Sequence, residues 1–147
     1  MSEPVTTLIS HIGLCTADIE RASAFYQGAL GFEPLGGVFE IGAPFDDLLE
    51  QPGATMLVQQ LKCGGATIEL LGFRDTAVTG AAQRRPMNQR GFTHMTLVVD
   101  DIDAAAARIC EFGGQVHHET RVDSSFGPIL FCTDPDGVRI ELMRANN

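Results

Sequence analysis

The feature that most restricts this chain is that it contains itself twice. Laying SHIGLCTADIERASAFYQGALGFE, from Ser10, over THMTLVVDDIDAAAARICEFGGQV, from Thr93, needs no gap. The overlay puts His11 on His94, Asp18 on Asp101, Ile19 on Ile102, Ala22 on Ala105 and Gly31 on Gly114. Further on, ATIELLGF from Ala66 lies over VRIELMRA from Val138, so Glu69 meets Glu141 inside the same Ile-Glu-Leu tripeptide. The stretch from His to Glu is longer in the first half. The extra length falls on residues 36–53, whose Gly, Pro and acidic residues read as a loop. Two copies do not make a solenoid, which needs three or more repeats. The chain therefore reads as one domain, 1–147, built of a module over 8–73, a linker over 74–91 and a second module over 92–144.

Both halves share one local grammar. Residues 8–15 and 94–99 are short, apolar and β-branched, as strands are. Asp18 and Asp101 stand where a helix cap belongs. Residues 19–30 and 102–112 follow with helical spacing, and Gly31 and Gly113–Gly114 end them. Strands are expected over 33–41, 56–62 and 67–72, then over 115–122, 127–132 and 138–144. Asp134-Pro135-Asp136-Gly137 is a strong turn signal before the last of these. The fold class is thus α+β, two tandem βαβββ modules.

Bulk properties exclude several functions. A chain of 147 residues buries enough surface to fold without staples. Its net charge of −9 argues against a nucleic-acid binder and against anionic membrane surfaces. Cys15, Cys63, Cys110 and Cys132 form no CxxC pair. The opening residues carry no secretory pattern, and no apolar run is long enough to span a bilayer. A cytoplasmic protein with reduced thiols is the expectation.

Alternation along a strand sets each His and each Glu back to back with an apolar stripe. The stripes can pack on the helices, leaving His11, Glu69, His94 and Glu141 on the other face. Burying two carboxylates together is costly without a partner, and a divalent cation removes that cost. Two imidazoles and two carboxylates suit Zn²⁺, Ni²⁺, Co²⁺, Mn²⁺ or Fe²⁺. The expectation is one metal held by all four.

These motifs, with FTHMTLVVDDIDAA and TDPDGVRIELM, resemble the vicinal oxygen chelate superfamily, also called the glyoxalase/bleomycin-resistance/dioxygenase group. The resemblance covers about residues 8–144. It implies a cup-like, partly closed mixed β-sheet around a metal at the first-strand and last-strand positions, His11, Glu69, His94 and Glu141. The full His-Glu-His-Glu set looks most like metal-dependent glyoxalase I. Epimerase relatives usually carry Gln at the position of Glu69. The chain departs from typical glyoxalase I in having Asn88-Gln89-Arg90-Gly91-Phe92-Thr93 before the second His and no Trp.

The implied activity is that of a lyase or isomerase on a small carbonyl or vicinal-oxygen substrate. The metal would stabilise an enediolate or enolate while a carboxylate moves the proton. Glu69 and Glu141 are the candidate catalytic residues, with Glu141 favoured by analogy as the mobile base. The alternatives are an Fe²⁺ extradiol-type dioxygenase and a metal-free protein that sequesters an antibiotic or other small molecule. Cys15, Arg84, Arg85, Arg90 and Phe126 are further candidates for substrate binding, the arginines for a carboxylate or thioester tail. His117 and His118 alternate to opposite faces and read as a solvated pair. A homodimer is implied by resemblance. The cup is built in relatives either from one chain or from two.

Overall fold

The computed structural model describes residues 1 and 3–145. The first half runs β1 (Ile12–Cys15), α1 (Ile19–Leu30), β2 (Glu33–Pro34), β3 (Phe39–Ile41), α2 (Phe45–Leu48), β4 (Met56–Cys63) and β5 (Ala66–Phe73). The second runs β6 (Met95–Val99), α3 (Ile102–Glu111), β7 (Gln115–Ser124), β8 (Gly127–Thr133) and β9 (Arg139–Arg144). The two capping aspartates behave alike. Asp18 Oδ1 accepts from Arg21 N at 3.0 Å, and Asp101 Oδ1 accepts from Ala104 N at 2.9 Å. Each satisfies a backbone N–H that the helix itself leaves unpaired. Gly31 closes α1 at φ 70° and Gly113 follows α3 at φ 87°, both in the left-handed region.

The sheets repeat one topology. The first has the order β1-β5-β4-β2, with β3 also pairing β4; the second has the order β6-β9-β8-β7. In each, the strand before the helix runs parallel to the last strand of its module, and the remaining pairs are antiparallel. This is the mixed α+β fold of two βαβββ modules. The sheets stay separate, and β1 and β6 are both edge strands. Among the described residues no helix is long and apolar enough to cross a membrane.

Two elements differ from the sequence expectation. The strand expected over 8–15 is paired only from Ile12, which faces Ile68, although β5 itself begins two residues earlier at Ala66. Extended further back, the same register would set Leu8 and Ile9 beside the Gly64–Gly65 turn, which offers no ladder. The strand expected over 33–41 is broken into β2 and β3 around Gly36–Gly37, and the loop that follows holds the short helix α2.

One hydrophobic cluster spans both halves. Phe25 and Tyr26 of α1, Ile109 of α3, Leu70 of β5, and Leu130 and Leu142 of the second sheet all belong to it. Each such fully buried side chain contributes about 1.5–3 kcal/mol relative to exposure. The helices touch directly, and polar contacts fix the second module's last turn against α1. Tyr26 OH donates to Asp134 Oδ2 at 2.8 Å. Thr16 Oγ1 donates to Asp136 Oδ2 at 2.6 Å, and Ala17 N–H to Asp136 Oδ1 at 3.1 Å.

Candidate functional site

The duplicated chemistry reappears as two like pairs. His11 stands one residue before β1, and its Nε2 lies 3.6 Å from Glu69 Oε1. His94 stands one residue before β6, and its Nε2 lies 3.9 Å from Glu141 Oε1. The parallel registers explain both. Gly13 sits beside Glu69 and Thr96 beside Glu141, so each Glu projects next to the lead-in of the neighbouring strand.

A hydroxyl precedes each imidazole. Ser10 Oγ lies 3.0 Å from His11 Nδ1, and Thr93 Oγ1 lies 2.9 Å from His94 Nδ1. A hydroxyl that accepts from Nδ1–H leaves the Nε2 lone pair turned to the carboxylate, the form in which imidazole binds a cation. This doubled hydroxyl was visible in the overlay of Ser10 on Thr93, although residue type alone gave it no role.

The carboxylates are held differently. Gln60 Nε2 donates to Glu69 Oε2 at 2.9 Å, leaving Oε1 toward His11. Thr96 Oγ1 donates to Glu141 Oε1 at 3.0 Å, the same oxygen that faces His94. All four side chains remain open to water, 36% and 24% exposed for His11 and Glu69, 27% and 19% for His94 and Glu141.

The four residues meet as two pairs within one chain. No three His, Cys, Asp or Glu side chains converge on a point among the described residues. Each pair offers one imidazole nitrogen and one carboxylate, donors suited to a divalent cation, whereas a zinc-type site uses three or four protein ligands.

Beside His94 lies a cavity of about 310 Å³, walled by Ile12 and Leu14 of β1, by Gln83 and Arg85 of the linker, by Phe92 just after it, and by Asp136–Arg139. Arg85 is the one candidate arginine that lines it. Arg84 instead donates to Glu119 Oε1 at 2.6 Å, and the carbonyl of Arg90 accepts from Arg85 Nη2 at 3.1 Å. Arg139, which sequence reasoning passed over, also lines the cavity.

Cys15 is exposed overall, but partial desolvation of its thiol, together with the Asp136 charge, raises its pKa, so the thiolate a nucleophile needs is disfavoured. Phe126 is exposed at the turn between β7 and β8. His117 reaches Thr133 Oγ1 at 3.2 Å and is held below its ordinary pKa by burial and by Arg84, while His118 faces solvent.

The fold and the duplicated His–Glu pairs define a class of small modular proteins, and residues 8–142 match the Glyoxalase/Bleomycin resistance protein/Dioxygenase superfamily. The chain belongs to that superfamily. It is 29% identical over 140 residues to an ethylmalonyl-CoA/methylmalonyl-CoA epimerase of Cereibacter sphaeroides, covering 91% of this chain and 95% of that protein. A glyoxalase family protein of Bacillus cereus superposes with TM-score 0.84 at 16% identity, over 98% of this chain and 97% of that one. A mutant of the fosfomycin resistance protein FosX of Listeria monocytogenes, solved with Mn(II) and 1S,2S-dihydroxypropylphosphonic acid, superposes with TM-score 0.62 at 16% identity. That match covers 97% of this chain and 95% of the other.

Proposed function

We propose that this protein is a metal-dependent isomerase or lyase acting on a small carbonyl compound. Its metal centre would combine His11 and Glu69 of one copy with His94 and Glu141 of a second. The observation that carries this reading is the doubled hydroxyl–His–Glu unit, complete in each module and only half of a four-ligand set. The open edges β1 and β6 leave both half-sites accessible to a second copy. The epimerase relative favours the isomerase side of the reading. The Mn(II)-bound FosX structure accords with a divalent cation on this fold.

A bound divalent metal supplies Lewis-acid polarisation of a carbonyl oxygen, which makes the neighbouring C–H more acidic. The chain's own groups then handle the proton. Among the described residues Glu141 receives one hydrogen bond, at Oε1, so Oε2 is left for the substrate. It takes the proton from the carbon next to the carbonyl and, as the carboxylic acid, returns it. Glu69 is gripped by Gln60 from the neighbouring strand and serves as the fixed ligand.

A subunit-mixing experiment tests the arrangement. One variant carries His11→Ala with Glu69→Ala, the other His94→Ala with Glu141→Ala, and each alone loses tight metal binding. Mixed under conditions that exchange subunits, they recover one metal per mixed dimer by elemental analysis. If wild type binds metal but the mixture recovers none, the two-copy site is wrong. A wild type that binds no divalent metal removes the whole reading.

A further inference from the structure

The two modules agree at His, Glu and the preceding hydroxyl, and among the neighbouring positions where they differ, the one two residues before the Glu introduces a charge. In the parallel registers, Thr67 lies directly before Ile68 of β5, and Arg139 directly before Ile140 of β9. The second half-site therefore has a guanidinium where the first has a hydroxyl. Arg139 is two residues before Glu141 on the same strand, so both project from one face.

Arg139 is held as few surface arginines are. It is 8% exposed. Its Nη2 donates to the Arg85 carbonyl at 2.6 Å, and its guanidinium lies 4.9 Å from the centre of the Phe131 ring. That ring also packs edge-on against His94, with centroids 5.5 Å apart. The Arg139 Nε is buried without a hydrogen-bond partner, and no carboxylate pairs with the guanidinium among the described residues. A buried cation without a counter-ion is costly, and an arriving anion would offset that cost.

Arg85 reaches the same cavity and likewise forms no ion pair among the described residues. Asp136 is the acidic group on the wall. Its carboxylate is committed to Thr16, to the Ala17 N–H and to Arg21, whose Nη2 lies 3.3 Å from Oδ1. In a chain of net charge −9, two guanidiniums that bond backbone carbonyls but pair with no carboxylate among the described residues thus line one cavity beside His94.

We infer that this cavity is an oxyanion subsite in which Arg139, assisted by Arg85, receives the carboxylate or phosphate of a substrate whose reacting carbon lies toward His94 and Glu141. Guanidinium offers the planar donor fork that both groups accept. The inference deepens the isomerase reading and rests on it for the direction in which the substrate lies. Its substrates are small carbonyl compounds that carry an anionic tail. Binding of the anion itself involves neither the metal nor a second copy.

The test uses metal-free protein dialysed clear of chelator. Inorganic phosphate and succinate are titrated separately, against sodium chloride at equal ionic strength, with melting temperature and calorimetric affinity as readouts. Wild type is expected to gain stability from at least one oxyanion beyond the chloride control, and the stronger arm distinguishes phosphate from carboxylate. Arg139→Gln is expected to bind that anion about tenfold more weakly or worse, and Arg85→Gln to weaken it less. Arg121→Gln, at an exposed ion pair with Asp103, is expected to bind as wild type does.

Arg139→Gln is also expected to melt no lower than wild type without anion, since it removes an uncompensated buried charge; a merely structural arginine would leave a less stable protein. Wild type that responds to neither oxyanion above chloride overturns the inference, as does an Arg139→Gln variant with undiminished affinity. The wild-type arm decides even if that variant fails to fold. Metal stoichiometry measured apart from these titrations separates failure of the subsite from failure of the metal centre.

Discussion

Tyr26 shows how much one side chain can join. It is fully buried, stacked edge-on against Phe25 and Phe32, and its hydroxyl crosses to Asp134 in the other module. Burial and the Asp134 charge raise the Tyr26 pKa well above its ordinary value, so the phenol remains a donor across the working pH range. Burial also raises the Asp134 pKa. Tyr26→Phe removes a hydrogen bond to a buried carboxyl and is expected to cost about 1.5–3 kcal/mol, read from urea unfolding. A cost near zero would show that water replaces the hydroxyl. Duplication marked His11, Glu69, His94 and Glu141 as what both halves keep, while their meeting as two pairs within the chain rather than as one group of four was not written in the overlay. Arg139 was not legible, because its significance lies in what surrounds it, and a sequence displays an arginine without displaying its burial.

At the scale of elements, local signals carried far. The bounds of α1 and the capping of both long helices were readable from Asp18, Asp101 and the glycines that follow. Strand ends were less so, since β1 begins only where Ile12 meets Ile68, a property of pairing that no run of apolar residues encodes. Gly114 displays a similar dependence. A Cβ there would lie 2.5 Å from the Thr133 carbonyl oxygen and 2.8 Å from a Phe25 ring carbon. The glycine lets α3 return closely over β8 and over α1 of the other module. Gly114→Ala is expected to destabilise the protein by about 1–3 kcal/mol, seen as a lower urea midpoint. An unchanged midpoint would mean that this contact relaxes freely.

For the molecule as a whole, duplication predicted the two modules, while their mutual placement came from packing that pairs α1 with α3 and leaves β1 and β6 at open edges. Because the core cluster and the Tyr26–Asp134 bond span both halves, the modules are expected to unfold as one. The chain has one tyrosine and no tryptophan, so tyrosine fluorescence reports on that junction alone. Its urea midpoint should coincide with that of far-ultraviolet circular dichroism; an earlier tyrosine transition would show the halves parting before either melts.

The lead-in position of the two histidines has a last consequence. His11 and His94 hang from backbone just outside the final rung of each edge strand. Backbone outside a ladder can adjust without breaking a strand pair. A cation gripped by both would meet jaws of adjustable width, and ions of unequal radius would be accommodated by a single sequence. Which ion occupies the jaws would then follow cellular supply more than the shape of the grip.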